Sequence, residues 1–192
     1  LGDAIEKATV LIEDGEREEA IERVPESEGA ELIVTGMARE ALFARRPVIL
    51  GRTVEHLLRR VPVPILIVRN RARSPYEHIL VTTDFSTPSA QALQVALRFF
   101  PGQTLHLLHA SEAYHASLVS DPRRHVQARR GARAADLETF LASIFLPEAD
   151  RRRLVRLIEP GHPAQLVREY VRDRGADLIV LGTHGRGAVL EA

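Results

Sequence analysis

The sequence predicts an α/β fold: an open parallel sheet with helices on both faces. Three observations point to it. Short runs such as "HILVTTD", "RLVRLIE" and "ADLIVLG" are dominated by apolar residues rather than strictly alternating, which is the pattern of strands covered on both sides. Amphipathic stretches of helical period separate them, so that each strand returns through a crossover and pairs parallel to another. Finally, "LIEDGEREEAIERVPESEGAELIVTG" (Leu11 to Gly36) aligns without a gap to "LIEPGHPAQLVREYVRDRGADLIVLG" (Leu157 to Gly182), with ten identities in 26 positions at an offset of 146.

Each copy reads as a short strand, a glycine turn at Gly15 or Gly161, an amphipathic helix, and an apolar strand closed by Gly36 or Gly182. The first copy continues through the helix "GRTVEHLLRR", with Val54, Leu57 and Leu58 on one face, to the strand "VPVPILIVR". Arg59 and Arg60 end that helix where its dipole favours cations. "NRARSPYE" then interrupts the apolar pattern and reads as a linker.

The second copy opens on the strand His78 to Asp84, followed by a helix in "STPSAQALQVALRFF" with Ser86 or Thr87 at its N-cap and Pro88 in its first turn. "QTLHLLHA" is the next strand, after the Pro101-Gly102 turn. Residues 111–130 show no strong periodicity and read as a variable connection, leading to a helix through "ARAADLETFLASIF". Carried forward by the offset, the strand Val61 to Arg69 would have its counterpart at 207–215, past Ala192. The expected organisation is residues 1–73 as the C-terminal half of a first domain and residues 74–192 as a second domain lacking its last helix and strand. Such a half-domain leaves sheet edges open, which predicts a homo-oligomer or a segment-exchanged dimer.

Composition narrows the function classes. Lys+Arg 26 balance Asp+Glu 26, so no global field gathers nucleic acid. The arginine-rich runs "RRHVQARRGAR" and "DRRRLVR" lack interleaved aromatic residues and read as solvated faces rather than a nucleic-acid surface. With no cysteine there is no disulfide, thiolate metal site or cysteine nucleophile. No membrane partner is expected, since no apolar run approaches the roughly 18 residues a span needs. The N-terminal residues have no secretory signal pattern, and the expected location is cytoplasmic.

In an open parallel sheet the loops leaving the C-terminal ends of the strands surround the ligand crevice. Asp84, the His109-Ala110 pair, the turn from Glu159 to Pro163 and the turn from Gly182 to Gly187 all leave strands on that side. In "GTHGRG" the glycines Gly182, Gly185 and Gly187 let backbone N–H groups approach phosphate oxygens, or simply form a tight turn. Asp84 either accepts from a base amino group or ribose hydroxyl, or caps the helix that follows. His109, His162 and His184 share the same end, but their spacing matches no paired-histidine metal motif. His184 reads as a phosphate neighbour or as a solvent-facing turn residue. No nucleophile and base pair stands out, and an enzyme is not the expected class.

These motifs together resemble the universal stress protein family in its tandem form. "HILVTTDFSTPSAQALQVAL", "ADLIVLGTHGRG" and "LGRTVEHLLRRVPVPILIVR" carry the resemblance, across nearly the whole chain. It implies five parallel strands in the order 3-2-1-4-5, a dimer or tandem pseudo-dimer, and an ATP or AMP site, with no metal beyond nucleotide-associated Mg. Asp84 and Ala110 would hold the adenosine, and the turn Gly182, His184, Gly185, Arg186, Gly187 the phosphates. The family's next phosphate glycine would fall at position 195. In the first copy Arg39 stands in place of the second glycine and Arg52 follows Gly51 where Ser is usual, which puts a site there in doubt. The resemblance implies an adenine-nucleotide-binding stress-response or regulatory module; the alternatives are a nucleotide-free member acting through protein contacts and a slow ATP phosphohydrolase.

Overall fold

The computed structural model describes residues 8–37, 51–69, 74–111 and 122–183. The chain divides into two compact units, Leu1–Ala72 and Arg73–Ala192.

The first unit contains helix α1 (Arg17–Ser27), strand β1 (Ile33–Gly36), helix α2 (Arg52–Arg60) and strand β2 (Ile65–Val68). β1 and β2 pair in parallel, from Ile33 opposite Ile65 to Gly36 opposite Val68. α1 packs on α2, with Ala20, Val54 and Leu57 buried. At its margin the Thr53 hydroxyl donates to Glu18 at 2.9 Å, and His56 meets the Glu22 carboxylate. The strand expected at Leu11 does not form: Val10 and Ile12 are 83% and 90% exposed in irregular chain. A strand exists only by pairing, and among the described residues nothing pairs with this segment. Gly15 and its aligned partner Gly161 do both turn the chain, at φ 116° and 148°, a backbone region that favours glycine.

The second unit is an α/β fold with a central parallel sheet flanked by helices. Its elements are β3 (Ile79–Thr83), α3 (Thr87–Phe99), β4 (Leu105–Ser111), α4 (Pro122–Ala142), the short α5 (Glu148–Arg152), β5 (Leu154–Pro160), α6 (Pro163–Arg174) and β6 (Leu178–Val180). α4 begins inside the stretch read as a variable connection, so that expectation is corrected. Its arginine- and alanine-rich sequence has good helix propensity but little apolar periodicity, so a reading based on periodicity passes over its first turns.

The strands lie in the order β5-β4-β3-β6, all parallel. Counted within this unit the order is 3-2-1-4, as the resemblance implied for those four strands. The first two crossovers, through α3 and α4, step in one direction across the sheet. The third returns from β5 past β4 and β3 to β6. Right-handed crossovers running in opposite directions put their helices on opposite faces. α3 and α4 accordingly share one face, where Ile79, Val81, Leu105, Leu107 and Leu154 pack with Leu93, Ala96, Leu97, Leu137, Phe140 and Leu141. Each large apolar side chain there contributes about 1.5–3 kcal/mol on burial. On the other face α6 lies against β4, and the Tyr170 hydroxyl meets His106 Nδ1.

Two polar devices fix the frame. The Asp177 carboxylate accepts from the backbone N–H groups of Glu77 at 2.9 Å and His78 at 3.1 Å, which sets the register of β6 on β3. The Arg153 guanidinium donates to the carbonyls of Leu97, Phe100 and Gln103 and to the Asp150 carboxylate, so it closes the C-terminal end of α3 and holds the start of β5.

Candidate functional site

Strand order reverses at β3: one crossover leads from it to β4, while the strand on its other side, β6, arrives last. In open α/β sheets ligands bind outside the carboxyl ends of the strands at such a switch point, here the ends of β3, β4 and β6. The structure brings Asp84, Ala110 and Gly182 to that end of the sheet. Of the other expected site residues, His184, Gly185, Arg186 and Gly187 lie outside the described residues, as does Arg39 of the first copy.

The turn from β3 into α3 is built from its own hydroxyls and one carboxylate. Ser86 is the N-cap of α3, accepting from the Ser89 N–H at 3.4 Å, with Pro88 in the first turn. Asp84 is therefore not the cap. Its Oδ1 instead accepts from the Ser86 N–H at 3.0 Å and from the Ser86 hydroxyl, which orients both the carboxylate and the capping residue. The Ser89 hydroxyl donates to the Ser86 carbonyl at 2.9 Å, so the contact of 2.9 Å between the Thr83 and Ser89 hydroxyls uses the Thr83 hydrogen. The Thr83 oxygen in turn accepts from the Phe85 N–H at 3.0 Å. Thr83 and Ser89 are buried and Asp84 is half-buried, so the carboxylate stands at the end of β3 on a hydrogen-bonded polar frame.

Two features of this turn are invisible to motif reading. Phe85 has φ 63°, in the left-handed region that costs a bulky residue about 1–2 kcal/mol. Its ring stacks on His109 at 4.0 Å and 18°, and stands 5.5 Å from Phe140. His109, only 8% exposed, donates from Nδ1 to the Thr83 carbonyl at 2.9 Å. Burial holds its imidazole below the ordinary 6.5, outweighing the opposing pull of the Thr83 carbonyl. His162, by contrast, is exposed at the start of α6. His109 is thus committed to the strand end, and no group of three or more metal-binding side chains lies among the described residues.

Gly182 has a steric reason to be glycine. A Cβ there would lie 2.6 Å from the carbonyl carbon and oxygen of Pro88 and 2.9 Å from the Ser89 nitrogen. The chain leaving β6 therefore lies directly against the first turn of α3.

A parallel sheet with a reversing strand order and a polar turn at its carboxyl end defines an open α/β protein, the class in which ligands bind at the topological switch point. Comparison with protein families matches residues 1–69 and 75–192 to the universal stress protein family, and the chain belongs to that family. The same finding corrects the expectation of a tandem member: membership extends over nearly the full chain as a single assignment, not as a tandem double-domain architecture.

Among solved structures, the chain is similar to a universal stress protein of Pseudomonas aeruginosa UCBPP-PA14, at 20% identity and a TM-score of 0.59 over 98% of this chain and 66% of that one. A universal stress protein of Archaeoglobus fulgidus DSM 4304 matches at 22% identity and a TM-score of 0.53, over 88% of this chain and 57% of that one. A family member from Burkholderia pseudomallei is 26% identical, with a TM-score of 0.44, over 59% of this chain and 86% of that one. No curated protein matches. The first two likenesses show the fold. No helix among the described residues is long and apolar enough to cross a membrane.

Proposed function

We propose that the chain binds an adenine nucleotide, ATP or AMP, in the crevice between the exits of β3, β4 and β6, and acts as a cytoplasmic stress-response or regulatory module rather than as an enzyme. The observation that supports this most is Asp84: its carboxylate is held by Ser86 at the switch point, beside the backbone of Ala110, where an acceptor can receive a ribose hydroxyl or a base amino group. In this reading Gly182, His184, Gly185, Arg186 and Gly187 supply the phosphate donors.

Mass spectrometry of small molecules released from the purified protein tests the proposal. An adenine nucleotide at near-stoichiometric amount is the expected result; a protein released empty, and still not binding AMP on addition, contradicts it. A second reading, a nucleotide-free member acting through protein contacts as a homo-oligomer, draws on Val10, Leu11 and Ile12, three consecutive exposed apolar residues. Light scattering of a Val10→Ser/Ile12→Ser variant tests it, with loss of self-association expected.

A further inference from the structure

Asp84 sits between two residues that are both anchored to the same side chain. On one side, the carbonyl of Thr83 accepts from His109 Nδ1 at 2.9 Å. On the other, the ring of Phe85 stacks on the His109 imidazole at 4.0 Å. β3 and β4 pair up to Thr83 opposite His109, so the histidine side chain takes hold of β3 where the ladder ends. Phe85 is left-handed, and such a conformation persists only while its surroundings hold it. The surroundings here are the His109 stack, the Phe140 ring and the Thr83 hydroxyl.

We infer that His109 is a positioning residue for the adenosine end of the site: in its neutral form it clamps Thr83 and Phe85 and so presents Asp84, and gaining a proton loosens that turn. The inference rests on the reading of Asp84 as the adenosine acceptor. Its electrostatic setting is mixed. The Thr83 carbonyl that accepts from the ring, Asp84 on the β3 exit and Asp136 on α4 favour the charged ring, while Arg133 on α4 opposes it. β5 places the apolar Ile158 opposite His109, with Glu159 one residue on, opposite Ala110. Burial dominates over these partners and favours the neutral ring. A protonated ring needs hydration that its position between Phe85 and the core denies, so the turn opens to provide it.

Two measurements test this. In the ligand-free protein, NMR titration from about pH 7.5 to 5 should move the Asp84, Phe85 and Ser86 amides with the same midpoint as the His109 ring, and His109→Phe should abolish that transition. Amides that stay still while the ring titrates overturn the inference. Adenosine, which has no phosphate to titrate in this range, is the probe for the second. The parent should lose affinity from pH 7.5 to 5.5, by less than about tenfold because the ring's folded-state pKa lies below 6.5, whereas His109→Phe should be weaker at pH 7.5 and nearly flat thereafter. A His109→Phe protein with the parent's affinity and the parent's pH profile also overturns it. A parent that binds no adenosine at either pH contradicts the nucleotide reading, and the amide titration still decides the role of His109.

Discussion

Gly182 and Pro88 meet backbone to backbone, so closely that a Cβ on Gly182 would stand 2.6 Å from the Pro88 carbonyl. The atoms in the way belong to the first turn of a helix and cannot swing aside as a side chain would. Gly182→Ala should therefore push β6 away from α3 and destabilise the protein by about 1–3 kcal/mol. Urea unfolding of the variant measures this, and an unchanged midpoint would mean that the two chain segments are farther apart.

Ser86 serves both as the N-cap of α3 and as the group that orients Asp84. Ser86→Ala should cost about 1 kcal/mol of stability through the lost cap. It should also weaken nucleotide binding, because the carboxylate loses the hydroxyl that helps to fix it. Ser86→Thr keeps both functions and should restore most of each, as read by thermal unfolding and calorimetry.

Arg153 is largely buried and holds three carbonyls and the Asp150 carboxylate. Replacing it with Met preserves much of the apolar stem but leaves those acceptors unsatisfied. The expected loss is about 2–3 kcal/mol, measured by denaturant titration. Arg156→Met, which removes an exposed pair with Glu138, should by comparison have little effect.

Stability should depend on pH through two histidines. Burial depresses the folded-state pKa of both His109 and His106 below their ordinary 6.5. The unfolded chain then binds more protons than the folded one as pH falls below that value. Their contribution is fully present above 6.5 and is lost as pH falls through the depressed folded values. Unfolding free energies at about pH 7.5 and 5.5 should show the decline, and the double variant His106→Phe/His109→Phe should show a shallower one.

The legible part of this molecule is the part that local pattern determines. Apolar runs mark β3 to β6, the Ser-Thr-Pro opening marks the start of α3, and Gly15 and Gly161 mark turns that do need glycine. Local signals mislead where the outcome depends on something distant. Val10 to Ile12 has strand character but no paired neighbour among the described residues, and α4 starts earlier than its apolar face does. Asp84 and Gly182 stand out as motif residues, yet their geometry comes from Ser86 and Pro88. The Phe85–His109 stack joins residues 24 positions apart across two strands, and no spacing rule connects a left-handed phenylalanine to a buried histidine.

The central claim is that Asp84 is the adenosine acceptor. Calorimetric titration of AMP into the parent and into Asp84→Ala, at the same pH and salt and with circular dichroism matched, tests it directly. AMP should bind the parent, and the variant should bind at least about tenfold more weakly, as expected when a fixed charged acceptor is removed. Equal affinity in the two proteins, or no binding by a folded parent, would contradict it.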